Sequence, residues 1–377
     1  GYEQSDYEKV FPAWLSKAKA GDKKYQFYVA KAYYFGQGVA KNKKRSLQWY
    51  TKSSDQGYAI AKNNLSFFYS DGEIVEQDLS KYFKLLCEAA TAGLSIAQDN
   101  LGVMYSYGLG VTLDYKEAFK WFKKSAEQGN ASAQNSLGFL YGSGYGISLD
   151  YKEAVKWYRK SAEQGLDWGQ FNLGLMYHEG NGVAKDYKEA LSWYKKAAKQ
   201  EHIEAINNIG LIYWTGASPE DSKGNVVISD YVRAVEWLEK GIEVGCSSCA
   251  HMLYKIYIEK NNINTYSFPI NKLYNPKLAI QYLELADEMG DEKAASVLGS
   301  IYLTGSESIK QDFNKALFWF HKSVEKYEDS YSQGQLAFLY SSASGSDEIR
   351  DDVASVYWAN KASDQGSVQG KELLSVS

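Results

Sequence analysis

Apolar and small residues recur along the chain at a regular spacing that divides it into similar segments. The segments from Lys123 to Gly129 and from Arg159 to Gly165 are nearly identical and lie 36 residues apart. One residue at the same point of each segment serves as the anchor of the repeat. The anchors are Gly21, Gly57, Gly93, Gly129, Gly165, Glu201, Gly245, Gly290, Glu328 and Gly366. Their spacing is 36 residues five times and then 44, 45, 38 and 38, which predicts a repeat array rather than a series of unrelated domains.

The first half of each repeat has the period of an amphipathic helix. An aliphatic residue follows each anchor by eight positions, and in the nine complete repeats a tyrosine follows by twelve, as at Leu137 and Tyr141. Together with Ala133 these residues form an i, i+4, i+8 stripe on one helix face. A Gly-x-Gly turn, such as Gly144 to Gly146, predicts the end of this first helix.

The second half predicts a second helix that begins at an aspartate and ends at the next anchor. Asp114, Asp150 and Asp186 are each followed three residues later by a glutamate. This is a capping-box pattern, in which the aspartate accepts from backbone N–H groups and the glutamate reaches back. The anchor then ends the helix in the left-handed conformation. One helix pair cannot bury its apolar face alone, so we expect the pairs to stack.

Composition supports a helical chain and argues against several other classes of protein. The 377 residues include only 4 prolines but 32 tyrosines and 10 tryptophans, which favours long helices packed by large side chains. The formal net charge of −4 does not indicate a nucleic-acid binder. No apolar run approaches the roughly 18 residues of a transmembrane helix. Four histidines and three cysteines leave little material for a metal centre.

These motifs resemble the Sel-1-like repeat, a relative of the tetratricopeptide repeat. Tyr-x-x-Gly-x-Gly-Val, followed by Asp-Tyr-x-x-Ala, Trp and Lys-x-Ala-x-x-Gly, carries the resemblance, which covers nearly all of the chain and weakens after Tyr213. It implies an all-α fold, an α/α right-handed superhelix (solenoid) of about nine 36-residue helix-turn-helix repeats. We expect one solenoid over residues 1–377, with capping helices in 1–20 and 366–377, regular repeats in 21–214 and irregular repeats in 215–365.

The resemblance also implies a class of function. Proteins of this family act as adaptors, and its bacterial members are often exported, several resembling factors for host-cell entry, envelope regulation or exopolysaccharide assembly. We therefore expect a periplasmic or secreted protein, with a cytoplasmic one as the alternative. No signal peptide is visible, and a start at Gly1 without Met fits either a trimmed chain or a mature exported protein.

By analogy with tetratricopeptide geometry, we expect the first helices to line a concave groove. Positions 3, 6, 10, 13 and 14 after each anchor would face this groove, which makes it rich in aromatic and asparagine side chains. The predicted groove residues are Phe27, Asn63, Phe67, Asp99, Tyr107, Asn135, Phe139, Trp168, Phe171, His178, Asn207, Leu211 and Trp214. Aromatic side chains are efficient anchors for a partner, and asparagine can pair with both groups of a peptide backbone. The alternative is that some of these aromatics fill the interior of a tight superhelix.

Two longer turns and one basic run are further candidates for contact with a partner. The turns from Thr215 to Ser229 and from Lys260 to Asn275 form either a partner-contact lip or loops folded over neighbouring helices. The basic run is expected to be a solvated turn and helix start, and the alternative is contact with anionic lipid headgroups or nucleic acid. It consists of Lys41, Lys43, Lys44 and Arg45.

The cysteines and histidines point to no catalytic chemistry. Cys246 and Cys249 form a Cys-x-x-Cys pair, but Cys249 takes a place held by alanine in other repeats, which favours small structural residues. The alternatives are a local disulfide in an oxidising compartment and a metal or redox site. No Ser/His/Asp or Cys/His set can be assembled. We therefore predict no catalytic residue, no metal and no cofactor.

The leading hypothesis is a non-enzymatic scaffold, expected to be monomeric, that binds a protein or peptide in the aromatic groove. A carbohydrate-binding or polysaccharide-assembly protein is the first alternative, and a small-molecule (β-lactam) binder or an enzyme is the second. Polarity of the groove discriminates between the peptide-binding and the carbohydrate-binding hypotheses. Sugar sites favour carboxylates beside flat aromatics, whereas peptide sites favour asparagine beside pockets. Nucleic acid is not an expected partner, because the basic residues are not spread along the groove.

Overall fold

Helices make up all the regular secondary structure that the computed structural model describes. The described residues are 4–216, 230–259, 273–306, 308–341 and 349–376. Within them the chain forms nine consecutive helix pairs, with one additional helix at each end. The predicted all-α solenoid of helix-turn-helix repeats with terminal capping helices is therefore confirmed.

The helices belong to two compact units, residues 1–197 and 198–377. The helices of unit 1 are α1 (Gln4–Lys19), α2 (Lys23–Phe35), α3 (Lys43–Asp55), α4 (Ala59–Asp71), α5 (Leu79–Thr91), α6 (Ser95–Tyr107), α7 (Tyr115–Glu127), α8 (Ala131–Ser143), α9 (Tyr151–Glu163), α10 (Asp167–Glu179) and α11 (Tyr187–Ala198), which ends one residue past the boundary. The helices of unit 2 are α12 (Ile203–Thr215), α13 (Tyr231–Glu243), α14 (Ser247–Ile258), α15 (Pro276–Glu288), α16 (Ala294–Thr304), α17 (Phe313–Tyr327), α18 (Ser330–Tyr340), α19 (Asp352–Asp364) and α20 (Val368–Val376). The single array of 1–377 stays a prediction.

Each second helix starts at a side-chain cap that also closes the turn before it. At α7, Asp114 Oδ1 accepts from the N–H groups of Lys116 and Glu117 at 2.9 and 3.1 Å, as predicted. The other half of the predicted capping box is wrong. The Asp114 N–H donates to the Tyr105 carbonyl at 2.9 Å, and the Glu117 carboxylate pairs with Lys120. The carbonyl at the end of the preceding first helix thus takes the place of the glutamate, and the same bond recurs at most second helices, for example from Asp150 N to Tyr141 O.

The anchors end the second helices in the left-handed conformation, as predicted. Positive φ is found at all ten anchors, from 53° at Glu328 to 100° at Gly21, and it includes the second glutamate, Glu201, at 62°. Glycine adopts this conformation without steric cost, whereas other residues lose roughly 1–2 kcal/mol in it. The two glutamates therefore mark positions where the backbone of the repeat overrides the preference of the residue.

Replacing Glu328 by glycine is expected to stabilise unit 2 by about 1 kcal/mol, because it removes the left-handed penalty. The free energy of unfolding from urea titration of the full chain measures the change. Glu325→Gly is the matched control, since Glu325 is exposed within the same helix α17 and a helical glycine costs about 1 kcal/mol. The two substitutions should act in opposite directions, and a loss of stability in both would refute the explanation.

Small residues on the first helices receive large side chains from the second helices. Gly138 of α8 lies against the ring of Tyr158 of α9, where an added Cβ would approach the ring to 2.7 Å. Gly174 and Tyr194 repeat this fit one pair later, with a corresponding distance of 2.8 Å. In unit 2, Gly299 lies against Phe320 in the same way. The close fit holds the first helices at a constant distance from the second helices and so places their remaining faces in register.

Candidate functional site

Three consecutive first helices of unit 1, α6, α8 and α10, form a cleft of about 640 Å³. We call it the unit 1 cleft. The residues that line it are Val103, Ser106, Tyr107, Leu113, Tyr115, Phe122, Asn135, Ser136, Phe139, Leu140, Tyr145, Trp168 and Asn172. Its volume is in the range of sites that hold a small ligand or a few side chains of a peptide.

The cleft brings together four of the predicted groove residues: Tyr107, Asn135, Phe139 and Trp168. The three aromatic side chains among them are unusually exposed, at 73% for Tyr107, 51% for Phe139 and 48% for Trp168. Exposed apolar side chains that lie side by side mark interaction surfaces more often than isolated ones do. The cleft therefore offers a partner several rigid anchors at once.

Tyr145, in the turn between α8 and α9, completes the aromatic wall, and the sequence analysis missed it. Tyr145 lies in the Gly-x-Gly turn and stacks on Tyr115 with ring centroids 4.9 Å apart and an interplanar angle of 27°. It also meets Phe139 edge to face at 5.9 Å. A signal was present in the sequence, because an aromatic residue between two turn glycines has no helix face to fill. These contacts restrict the rings before any partner arrives.

Asparagine side chains link the first helices at this surface. Asn172 Nδ2 of α10 donates to Asn135 Oδ1 of α8 at 2.8 Å, and Asn100 Nδ2 of α6 donates to Asn63 Oδ1 of α4 at 3.1 Å. Each bond joins residues 37 positions apart on adjacent first helices. We call this set of contacts the asparagine ladder.

The prediction that position 6 after each anchor faces the groove is wrong for three residues of unit 1. Phe27 is buried in a core cluster, with its ring centroid 5.8 Å from that of Tyr50. Asn63 and Asp99 are also buried. The reason is that position 6 lies in the seam between adjacent first helices, where the ladder forms. Position 10, which carries Phe67 and Phe139, projects from the same helices to the surface.

Two further predicted residues, Phe171 and His178, are half-buried rather than exposed. The Phe171 ring lies between Trp168, at 6.1 Å, and Tyr194, at 5.8 Å. His178 Nδ1 is 3.3 Å from the Tyr194 hydroxyl. Burial, with a smaller contribution from Lys185, lowers the pKa of His178. Both residues thus support Trp168 and its surroundings rather than offering a free surface.

Asp99 is the ladder residue whose chemistry differs from that of its neighbours. The ladder spacing places Ser136 opposite it, where the adjacent steps have asparagine, and Asp99 Oδ1 has no hydrogen-bond partner among the described residues. Burial raises the pKa of Asp99 to about 6, although a hydrogen bond from Ser132 lowers it in part. A buried carboxylate with one oxygen unpaired destabilises the folded protein whenever it is ionised.

Replacing Asp99 by asparagine is expected to stabilise unit 1 at neutral pH by about 2 kcal/mol. The folded pKa of about 6 lies above the ordinary value near 3.9. Stability from this group is thus full below about pH 4 and is lost as the pH rises through 6. The gain of the variant should therefore be small at pH 4 and largest above pH 7. Urea unfolding at several pH values measures it.

Asp71→Asn is the control for that series, because Asp71 is an exposed carboxylate on the neighbouring first helix α4. Surface substitutions of this kind usually change stability by less than about 0.5 kcal/mol. If Asp99→Asn gave no gain at pH 7, or an equal gain at pH 4, the unpaired-carboxylate interpretation would be wrong.

A smaller cleft of about 180 Å³ lies elsewhere in unit 1, beside the predicted residue Phe67. Phe67 packs against Tyr82 at 5.8 Å and is 41% exposed. Asn64 lines this cleft, and its Nδ2 donates to the Tyr50 hydroxyl at 3.3 Å. This cleft is a second aromatic depression on the first-helix surface of unit 1.

In unit 2, the predicted groove residues Asn207, Leu211 and Trp214 lie on α12 and are half-buried. The Ser248 hydroxyl donates to Asn207 Oδ1 at 3.3 Å. A separate cleft of about 690 Å³ in unit 2 is lined by charged side chains of both signs, including Lys277 and Glu284. It lacks the row of exposed aromatics found in the unit 1 cleft.

Cys246 and Cys249 are joined by a disulfide, with both side chains buried at the start of α14. The sequence analysis favoured small structural residues that are not bonded, and the structure has the alternative. Cys249 packs against Gly241 of α13, so the pair also fills the small-residue place expected of it.

The remaining sequence candidates fall into two groups. Residues 217–229 and 260–272, which make up nearly all of the two long turns, lie outside the described residues. The basic run at the start of α3 makes intramolecular contacts: Lys43 pairs with Glu73, and the Arg45 guanidinium lies 5.6 Å from the ring centre of Tyr33.

Two other kinds of site are absent from the residues that the structure describes. No group of three or more His, Cys, Asp or Glu side chains in these ranges is arranged to hold a metal ion. None of the helices in the described part of the chain is both long and apolar enough to cross a membrane.

Comparison with known proteins identifies relatives of the chain. The family model described as the Sel1 repeat matches nine segments, which are residues 24–58, 59–94, 95–130, 131–166, 169–202, 203–246, 267–291, 293–327 and 330–367. The chain is similar to a crystal structure described as a protective antigen present in uropathogenic Escherichia coli strains displaying an SLR fold. The identity is 29%, the TM-score is 0.68, and the match covers 96% of this chain and 73% of that one. A Sel1 repeat protein from Oxalobacter formigenes matches with 28% identity and a TM-score of 0.56, over 63% of this chain and 92% of that one. None of the curated protein sequences matches the chain.

Proposed function

Because the chain belongs to the Sel1 repeat family, whose repeats generally mediate protein–protein interaction, we propose that it is a non-enzymatic scaffold that binds a peptide segment of a protein partner in the unit 1 cleft. The observation that carries this proposal is the row of exposed aromatics Tyr107, Phe139 and Trp168 along three adjacent first helices. Large exposed aromatic anchors around a depression are the usual high-energy contacts of protein interfaces.

Preorganisation supports a peptide as the ligand. The ladder bond between Asn135 and Asn172 and the stack of Tyr145 on Tyr115 hold the walls of the cleft in place. A partner therefore meets side chains that lose little freedom on binding, which lowers the entropic cost of association. The polar lining consists of amides and hydroxyls, with no carboxylate among the lining residues. This composition fits the peptide hypothesis better than the carbohydrate hypothesis.

Trp168→Ala is expected to weaken peptide binding at least tenfold, because a central aromatic anchor commonly contributes more than about 1.4 kcal/mol. Peptides of 12 residues are selected from a random display library on the full-length protein, and their dissociation constants are then measured by calorimetry for wild type and variant.

Phe318→Ala is the control, since Phe318 is an aromatic on α17 of unit 2 that is exposed to a similar degree, 59% against 48% for Trp168. Circular dichroism checks that both variants fold. Equal loss of binding in both variants, or none with Trp168→Ala, would place the binding surface elsewhere. A library that yields no binder would count against peptide recognition itself.

A further inference from the structure

The smaller cleft of unit 1, which we call the ring cleft, is bounded by aromatic rings in several orientations. Its aromatic lining residues come from α2, α3 and α4 and are Tyr34, Phe35, Tyr50, Phe67 and Phe68. Tyr34 meets Phe35 and Phe68 edge to face, with ring centroids 4.9 and 5.8 Å apart and interplanar angles of 73° and 78°. Because the rings are steeply inclined and belong to three helices, a group inside the cleft has aromatic neighbours on more than one side.

A carboxylate lines the same cleft. Asp71, the last residue of α4, is exposed and belongs to the lining. Its Oδ1 accepts from the Glu73 N–H at 3.1 Å, which orients the carboxylate without neutralising it. No lysine or arginine is among the lining residues. Aromatic ring faces and a carboxylate both attract a cation, so the lining as a whole favours positive charge.

Lys43 lies beside the ring cleft but is the partner of another residue. Its Nζ is 5.8 Å from the centre of the Tyr34 ring, and its ammonium pairs with Glu73. The hydrogen bond with Glu73 is the largest cause of the raised pKa of Lys43, and Asp71 contributes least to it. The charge of Asp71 is therefore available to a cation that enters the cleft.

Size and hydrogen bonding favour a trimethylammonium group over a primary ammonium. The cleft has a volume of about 180 Å³, and a cavity of roughly 150 Å³ is enough to hold benzene. A primary ammonium brings three N–H donors that need acceptors. Asn64 Oδ1 already accepts from Asn63 at 3.2 Å, and the Tyr50 hydroxyl accepts from Asn64 at 3.3 Å. A trimethylammonium group has no N–H donor and contacts ring faces through its methyl groups.

We propose that the ring cleft binds a trimethylammonium group, which the aromatic rings surround and the Asp71 carboxylate partly neutralises. The site goes beyond the proposed function and does not depend on it, because the ring cleft and the unit 1 cleft share no lining residue. Free choline, a phosphocholine headgroup and a trimethylated lysine all present this group.

Calorimetric titration of the full-length protein with choline chloride tests the proposal. Two comparison compounds separate the contributions to binding. Ethanolamine keeps the positive charge but lacks the methyl groups, and the neutral tert-butyl analogue of choline keeps the shape but lacks the charge. Each should bind at least about tenfold more weakly than choline, because recognition needs both the charge and the methyl contacts.

Two variants test the residues of the site. Phe35→Ala and Asp71→Asn should each weaken choline binding at least about threefold, and Asp71→Asn should leave binding of the neutral analogue unchanged. Both positions are exposed, so the substitutions should leave folding intact, which circular dichroism checks. Phe318→Ala is the matched control, since Phe318 in unit 2 and Phe35 are both 59% exposed, and it should bind choline as wild type does.

Glycerophosphocholine and a peptide with one trimethyl-lysine are titrated in the same way. The compound that binds most tightly identifies the source of the group, and tight binding of any of the three supports the site. Ethanolamine or the neutral analogue binding as tightly as choline would overturn the proposal, as would an equal loss in Phe318→Ala. Absence of saturable binding by all three compounds up to about 10 mM would overturn it as well. None of these results bears on peptide binding through Trp168, which uses the other cleft.

Discussion

Replacing Gly182 by alanine is expected to lower the free energy of unfolding of unit 1 by about 4 kcal/mol. Gly182 lies in the turn between α10 and α11 with a φ of +72°, and an added Cβ would lie 2.3 Å from the Tyr151 carbonyl oxygen and 2.4 Å from its carbonyl carbon. Both are backbone atoms at the start of α9, so no side-chain rotation relieves the contact. The turn and the neighbouring helix would have to move apart, and the cost of overpacking adds to the left-handed penalty.

Gly165→Ala separates these two costs. Gly165 also has positive φ, at +91°, but an added Cβ meets nothing within 4 Å. The expected loss is about 1 kcal/mol, from the backbone conformation alone. Urea unfolding of the full chain measures the loss in free energy of unfolding for both variants. Hydrogen exchange of the amides of α9 and α11 shows whether these helices lose protection. If the two substitutions proved equally costly, close approach of the turn to α9 would not be what requires glycine at position 182.

Replacing Gly138 by alanine is expected to destabilise unit 1 by about 3 kcal/mol. Its Cβ would lie 2.7 Å from Cδ1 of Tyr158, whose buried ring has little room to move. The result would run against helix propensity, since alanine normally stabilises a helix relative to glycine by up to about 1 kcal/mol. The measurement is again the free energy of unfolding at pH 7.

Gly142→Ala provides the matched control within the same helix α8. An added Cβ there would lie 3.6 Å from Ala154 Cβ and 3.9 Å from the Tyr158 hydroxyl, which is ordinary contact. This variant should gain about 0.5–1 kcal/mol. The two glycine-to-alanine changes, four residues apart, should therefore change the free energy of unfolding in opposite directions. That result would show that the fit between first and second helices, and not helix propensity, requires glycine at position 138. Loss of stability with both would contradict this.

The regular part of the fold was predictable because every repeat carries the same sequence signals. The anchors predict the left-handed helix ends, including those at Glu201 and Glu328, where the residue type alone would not. Asp114 and its equivalents predict the starts of the second helices. The glutamates were predicted to accept a hydrogen bond from the N–H group of the capping aspartate, but the backbone carbonyl of a tyrosine accepts it. That carbonyl belongs to a different helix, and the sequence pattern does not show that it lies beside the aspartate.

The site was predictable only in part, since exposure depends on how adjacent helices pack. Tyr107, Phe139 and Trp168 were predicted for the groove and are exposed. Phe27, Asn63 and Asp99 were predicted there as well but lie in the seam, because the separation of the first helices is set by tertiary packing. The raised pKa of Asp99 comes from burial in this seam, and that burial could not be predicted before the packing of the first helices was known.

In the proposed function, the exposed aromatics of unit 1 form the surface that contacts a partner. The most direct test is the indole N–H spectrum of the full-length protein, with tryptophan labelled by nitrogen-15, during titration with a selected peptide, the Trp168 signal being assigned with Trp168→Phe. We expect the Trp168 resonance to shift in proportion to the peptide bound. The resonances of Trp121 and Trp157, which lie on second helices under Lys124 and Lys160, should stay in place. An unchanged Trp168 resonance at saturating peptide, with shifts at other tryptophans, would contradict it.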